Sequence, residues 1–79
     1  KNDAYAMFKL GYLYSNGDAL IPVNFSLAVS YYQKAADLGS AMAANNLGNM
    51  YLNGYGVPKN YSMAVKYYER AAQLGDKHG

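Results

Sequence analysis

Polar residues recur along this chain with the spacing of an α-helix. The clearest case lies between residues 24 and 39, where they follow the order i, i+3, i+4 and i+7. These positions are Ser30, Gln33, Lys34 and Asp37. Most other positions of this stretch are apolar, and a helix that is apolar around most of its circumference packs on more than one neighbour. The pattern therefore predicts a helix that is covered on several sides and meets solvent along one polar stripe.

The whole pattern occurs twice, so the chain contains an internal repeat. LGYLYSNG at residues 10–17 corresponds to LGNMYLNG at 47–54, and residues 22–39 correspond to 58–75. The second polar stripe consists of Lys66, Glu69, Arg70 and Gln73. Between the matched blocks the first copy is one residue longer, and loops tolerate such length changes. Each copy is therefore predicted to be a pair of helices, here named helix A and helix B, joined by a loop.

Capping residues mark the ends of helix A. Asp3 and Ser40 are typical N-cap residues, and Gly17 and Gly54 are typical of the position after a helix end. Helix A is thereby predicted from about Ala4 to Asn16 in the first copy and from about Ala41 to Asn53 in the second.

Helix B is predicted to start after Asn24 or Asn60 and to stop at Gly39 or Gly75. Both asparagines also begin an N-glycosylation motif, Asn-Phe-Ser or Asn-Tyr-Ser. Capping is the favoured interpretation because it explains why the two asparagines hold equivalent positions. A glycan would require a secretory setting that the sequence does not show.

A glycine stands in the middle of helix A in both copies. Gly11 and Gly48 each cost about 1 kcal/mol relative to alanine, so a compensating close approach of another helix is expected. The small residues predicted to face these glycines are Ala28 and Ala35 in the first copy, and Ala64 and Ala71 in the second.

The recurring residues form one pattern in both copies. In the first copy they are Ala4, Leu10, Gly11, Tyr14, Gly17, Ala28, Tyr31, Tyr32, Ala35, Ala36 and Gly39. In the second copy they are Ala41, Leu47, Gly48, Tyr51, Gly54, Gly56, Val57, Ala64, Tyr67, Tyr68, Ala71, Ala72 and Gly75. This pattern resembles the Sel-1-like repeat, a relative of the tetratricopeptide repeat, over nearly the whole chain. One departure lies in the first loop, where Leu20 replaces the usual glycine before Ile21.

The resemblance implies an all-α fold, an α/α right-handed superhelix (solenoid) of two helix-turn-helix repeats. The repeats are predicted at 1–39 and 40–75, with 76–79 as the start of a truncated third. Repeat arrays generally need about three units for stability. The 79-residue chain is therefore expected to be marginally stable, or to cover its uncapped end by self-association.

The resemblance also implies a function, because known members of the family hold other proteins together as scaffolds and adaptors. By similarity to the tetratricopeptide groove, a protein or peptide partner is expected on the concave face of the two helices A. The residues predicted there are Tyr5, Phe8, Tyr12, Ser15 and Asn16 in the first copy, and Met42, Asn45, Asn49, Leu52 and Asn53 in the second.

Asn45 and Asn49 stand out on this face, because asparagine is a poor helix former and they replace Phe8 and Tyr12 of the first copy. Amides one helical turn apart can pair with the N–H and C=O groups of a bound peptide. Ordinary solvation of an exposed face is the alternative. Asn46 fits the repeat pattern and is interpreted as structural.

Composition and charge narrow the range of functions. The net charge is +2 and the basic residues are scattered, so no basic run indicates a nucleic-acid partner. The absence of cysteine excludes disulfides and cysteine zinc sites. No apolar run approaches the length of a membrane span, so direct membrane insertion is not expected.

No catalytic, metal or cofactor site can be assembled from the sequence. The single histidine, His78, lies beside the C-terminus, and the acidic residues fall at caps, in a loop and on the polar stripes. These acids are Asp3, Asp18, Asp37, Glu69 and Asp76. A protein-binding scaffold is therefore predicted, and a structural spacer within a longer repeat array is the alternative; an enzyme is not expected.

Overall fold

Four helices form two stacked hairpins. The computed structural model describes residues 3–76, apart from the side chain of Asp76. The helices are α1 (Asp3–Asn16), α2 (Phe25–Asp37), α3 (Ala41–Asn53) and α4 (Tyr61–Asp76). Helix α1 packs on α2, α2 on α3, and α3 on α4, and residues 3–76 contain no strand. The predicted all-α solenoid of two helix-turn-helix repeats is confirmed, with α1 and α3 as helices A and α2 and α4 as helices B.

Side-chain oxygens cap three of the helices at the predicted residues. Each accepts a hydrogen bond from the backbone N–H three residues further on, which satisfies one of the free donors of the first turn. The pairs are Asn24 with Leu27 (3.1 Å), Ser40 with Ala43 (3.1 Å) and Asn60 with Met63 (3.0 Å). Asp3 differs from the prediction, because α1 begins at Asp3 itself. Its carboxylate lies in the first turn, where the helix dipole favours negative charge.

Glycines end three helices, but the predicted end of α4 at Gly75 is wrong. Gly17, Gly39 and Gly54 have φ of 70°, 103° and 75°, a left-handed backbone that turns the chain away from the helix axis. Gly75 remains helical, and α4 continues to Asp76. Among the described residues nothing lies within 4 Å of a Cβ placed on Gly75, so none of them forces a turn there.

The first loop makes its turn without the family's glycine. The carboxylate of Asp18 accepts hydrogen bonds from the N–H groups of Leu20 and Ile21, both at 2.8 Å. The Asp18 N–H donates in turn to the Ile21 carbonyl at 2.7 Å. In the second loop Gly56 adopts φ of 78° instead. The extra residue and the Asp18 side chain therefore replace a left-handed glycine.

The two central glycines of helix A receive tyrosine rings from helix B. A Cβ on Gly11 would lie 2.7 Å from Cδ1 of Tyr32, and a Cβ on Gly48 would lie 2.7 Å from Cδ1 of Tyr68. The nearest atoms at Gly11 all belong to Tyr32, so the expectation of alanine partners there needs correction. At Gly48 the predicted partner Ala64 does approach, because its carbonyl oxygen lies 3.1 Å from the Cβ position. The other predicted alanines belong to the core or its edge: Ala28 and Ala35 are fully buried, and Ala71 is half-buried.

Equivalent residues of the two helices B differ in exposure. Tyr32 and Ala36 on α2 are 2% and 0% exposed, because α3 packs on that helix. Their counterparts on α4, Tyr68 and Ala72, are half-buried and exposed. The second repeat therefore presents a face that is covered in the first.

Candidate protein-binding face

The residues predicted to bind a partner lie on α1 and α3, and most of them face solvent. We call this surface the helix A face. Its exposed members are Tyr5, Tyr12, Asn16, Met42, Asn45, Asn49, Leu52 and Asn53, and its half-buried members are Phe8 and Ser15. Phe8 packs partly inward, with its ring centroid 5.8 Å from that of Tyr32. Truncating Phe8 would therefore disturb the core as well as the surface.

Tyrosine hydroxyls from the helices B emerge at the helix A face. After crossing Gly11, Tyr32 places its hydroxyl 3.3 Å from Oγ of Ser15. After crossing Gly48, Tyr68 donates its hydroxyl hydrogen to Oδ1 of Asn49. One acceptor site of the Asn49 amide is thus occupied within the chain, whereas its NH₂ group donates no hydrogen bond within residues 3–76.

A cavity of about 420 Å³ opens on this face where the two repeats meet. We call it the junction cavity. Four of the residues on its walls were predicted to lie on the concave face: Tyr12, Ser15, Asn16 and Asn49. Five others complete it: Phe25, Tyr32, Asn46, Met50 and Tyr55. The cavity thus combines side chains from both helices A, one helix B and the second loop.

An aromatic stack connects the second loop to the first repeat. The rings of Phe25 and Tyr55 lie 4.9 Å apart, centroid to centroid, and are nearly parallel at 15°. Gly56 makes this approach possible, because a Cβ there would lie 2.6 Å from the backbone carbon and oxygen of Phe25. The stack forms an aromatic wall of the junction cavity.

The predicted site residues are split between the junction cavity and a second concavity. The second concavity lies on the second repeat, and its walls include Met42, Asn45, Tyr68, Ala71 and Ala72. Asn45 therefore belongs to a different concavity from Asn49, whereas Asn46 lines both. Tyr5, Phe8 and Leu52 line neither of them.

Sequence reasoning missed three residues that shape this surface. Phe25 and Tyr55 meet across the repeat boundary, and no short-range pattern relates them. Asn46, which was interpreted as structural, is half-buried and lines both concavities. Its amide reaches solvent and has no hydrogen-bond partner among residues 3–76. Its one available signal was the low helix propensity of asparagine.

The polar stripe of α2 is not entirely an outer surface. Gln33 is half-buried and accepts a hydrogen bond of 2.7 Å from the hydroxyl of Tyr67 in the next repeat. Asp37 forms an ion pair with Arg70 at 3.7 Å. Exposed pairs of this kind contribute at most about 1 kcal/mol, so the Gln33 contact with buried Tyr67 is the more informative. Part of the stripe therefore sets how the repeats align.

The described residues include a tyrosine with a shifted pKa but no cluster of metal ligands. No group of three His, Cys, Asp or Glu side chains within them could hold a metal ion. Burial raises the pKa of the Tyr51 hydroxyl above its usual value, with a further contribution from neighbouring Tyr67. His78 lies outside the described residues. In the described part of the chain no helix is long and apolar enough to cross a membrane.

Comparison with known proteins agrees with this architecture. The Sel1 repeat family model matches residues 4–40 and 41–76. The crystal structure of a Sel1 repeat protein from Oxalobacter formigenes superimposes with a TM-score of 0.84 at 36% sequence identity, covering 91% of this chain. The chain spans 20% of the length of that protein. No curated protein matches the chain significantly. With two consecutive matched repeats and the same helical arrangement, the chain belongs to the Sel1 repeat family.

Proposed function

We propose that this chain is a protein-interaction module that binds a protein or peptide segment along the helix A face. The observation that carries the proposal is the junction cavity, which combines apolar walls with amide groups at the meeting point of the two repeats. Sel1 repeats are generally protein-interaction modules, and the family is a non-catalytic repeat scaffold. The proposal assigns that general role to one surface of this chain.

Exposed aromatic surface supports the choice of this face. Tyr5 and Tyr12 are 64% and 52% exposed, so most of each large ring is in contact with solvent. Tyrosine is favoured at interfaces because its ring packs while its hydroxyl remains hydrogen-bonded. The partner is therefore expected to cover Tyr12 and to extend toward Asn49 across the junction cavity.

Truncation of Tyr12 is expected to weaken partner binding more than any change on the polar stripes. Aromatic hot spots lose about 2 kcal/mol or more when cut to alanine, whereas a lost neutral hydrogen bond costs nearer 1 kcal/mol. The loss of partner affinity should thus be larger in Tyr12→Ala than in Asn49→Ala. The controls Lys34→Ala and Lys66→Ala should change the affinity little. The measurement is the affinity for a partner identified by pull-down. Loss of binding in the lysine variants with none in Tyr12→Ala would place the partner on helix B.

A structural spacer in a longer repeat array is the second candidate, favoured by the uncovered face of α4. The half-buried Tyr68 and exposed Ala72 match residues that α3 covers in the first repeat. Helix A of another repeat, or of a second copy, would bury them in the same way. Under this function α4 makes the essential contacts and the helix A face makes none.

Association of the 79-residue chain through this face is therefore expected at high protein concentration. Ala72→Lys should shift the sedimentation profile toward monomer, because a charged side chain cannot enter an alanine-sized contact. Gln73→Lys adds the same charge on the neighbouring polar stripe and serves as the control. A chain that stays monomeric at every concentration, and melts well above about 65 °C, would contradict this expectation.

A further inference from the structure

We infer that the junction cavity receives one uncharged aromatic side chain of the partner, with the adjoining peptide groups bound by Asn46 and Asn49. This inference rests on the proposed function and specifies the chemistry of the partner. It follows from three properties of the cavity walls: their lack of charge, their aromatic content and the hydrogen-bonding groups that their amides leave unoccupied.

The walls of the junction cavity carry no charge. All nine lining residues are tyrosine, phenylalanine, methionine, serine or asparagine. A charged side chain entering the cavity would lose hydration without gaining an opposite charge, which is unfavourable. Charge complementarity therefore selects an uncharged anchor, although the chain carries basic and acidic residues elsewhere.

Aromatic rings provide most of the apolar wall. Tyr12, Phe25, Tyr32 and Tyr55 line the cavity, and so does Met50, which is 4% exposed. Rings pack well against other rings in offset or edge-to-face geometry, and a methionine sulfur favours contact with an aromatic edge. A volume of about 420 Å³ accommodates a complete ring, whereas a methyl group would leave most of it unfilled.

Two amides on the cavity walls can bind the backbone of the anchored residue. Asn46 has no hydrogen-bond partner among residues 3–76 and lines both concavities. Asn49 has one acceptor site occupied by Tyr68 and its NH₂ group available. A side-chain amide offers both a donor and an acceptor, which complement the C=O and N–H of a peptide group. The pair therefore suits the backbone on either side of an aromatic anchor.

The methionine methyl signals can report where a probe binds, because the methionines lie at different places in the fold. Met50 lines the junction cavity, Met42 the second concavity, and Met7 a separate depression beside Lys34. Met63 packs against the core from α4. With ¹³C-labelled methionine methyl groups, N-acetyl-phenylalanine N-methylamide serves as the probe. Its ring should shift the Met50 signal by its ring current, with the millimolar affinity expected of so small a ligand.

The expected result is a saturable shift of the Met50 signal with little change at Met7 and Met63. The N-methylamides of N-acetyl-glutamate and N-acetyl-lysine should leave Met50 unchanged at the same concentration. The inference is overturned if the aromatic probe leaves Met50 unmoved, if it shifts Met42 or Met7 instead, or if the charged probes shift Met50 equally. If Met50 does not move while Tyr12→Ala abolishes partner binding, the inference alone fails and the proposed function stands.

Two substitutions test the walls separately. Tyr55→Ala should weaken binding of the aromatic probe about tenfold, as loss of a central aromatic contact does. Tyr61→Ala, which removes a more exposed tyrosine outside the cavity, should leave the affinity unchanged. Asn46→Asp keeps the shape of the side chain and adds a negative charge. This variant should bind the aromatic probe more weakly and should bind the lysine probe. Unaltered affinities for both probes would overturn the role of Asn46.

Discussion

Replacing Gly11 with leucine is expected to lower the free energy of unfolding by about 3 kcal/mol, near the upper end of the cost of overpacking. A Cβ at this position would lie 2.7 Å from the Tyr32 ring. Tyr32 is 2% exposed, its ring centroid lies 5.8 Å from that of Phe8, and its hydroxyl lies 3.3 Å from Oγ of Ser15. Displacing the ring would break these contacts. The gain in helix propensity is below about 1 kcal/mol and offsets only part of this cost. Urea denaturation followed by circular dichroism measures the difference.

Two other glycines provide matched controls for this prediction. Gly48→Leu meets the Tyr68 ring at the same distance and the Ala64 carbonyl oxygen at 3.1 Å. Tyr68, however, is half-buried, and its ring can turn toward solvent. A loss of about 1–2 kcal/mol is expected there. Gly75→Leu, with nothing within 4 Å in the described part of the chain, should be neutral or stabilise by about 0.5 kcal/mol. If all three variants lost the same stability, ring packing on the glycines would not be the cause.

Gly56→Ala is expected to cost about 3 kcal/mol, because a left-handed alanine is strained and its methyl group overlaps a neighbouring backbone. Gly56 has φ of 78°, and a Cβ would lie 2.6 Å from the carbonyl group of Phe25. The loop would have to move away from α2 and break the stack between Phe25 and Tyr55. Equilibrium unfolding gives the loss of stability, and ring-proton shifts of Tyr55 report on the stack.

Gly54→Ala separates the two causes of this loss. Gly54 has nearly the same φ, 75°, but the nearest atoms to its Cβ position belong to Lys59 at 3.5 Å, an ordinary contact distance. This variant should therefore lose only the backbone term of about 1–2 kcal/mol. An equal loss in both variants would mean that the contact between Gly56 and Phe25 does not stabilise the repeat junction.

The candidate site was only partly predictable from the sequence. Helical periodicity and the family resemblance correctly placed Tyr12, Asn45 and Asn49 on exposed surfaces of the helices A. They did not show that Asn45 and Asn49 line separate concavities, or that Tyr68 occupies the Asn49 oxygen. Those facts depend on how far each helix B tyrosine reaches across its glycine. That reach is set by the packing of one helix on another.

What the sequence determined by itself was local: the repeat, the four helices and most of their ends. Asn24, Ser40 and Asn60 cap helices through bonds that span three residues, so the information lies within one turn of chain. Only the tertiary structure decided the contacts that build the cavity and align the repeats. Phe25 with Tyr55, and Gln33 with Tyr67, are pairs far apart in sequence. Each forms only after two hairpins have stacked, because the relative position of packed helices fixes which distant side chains meet.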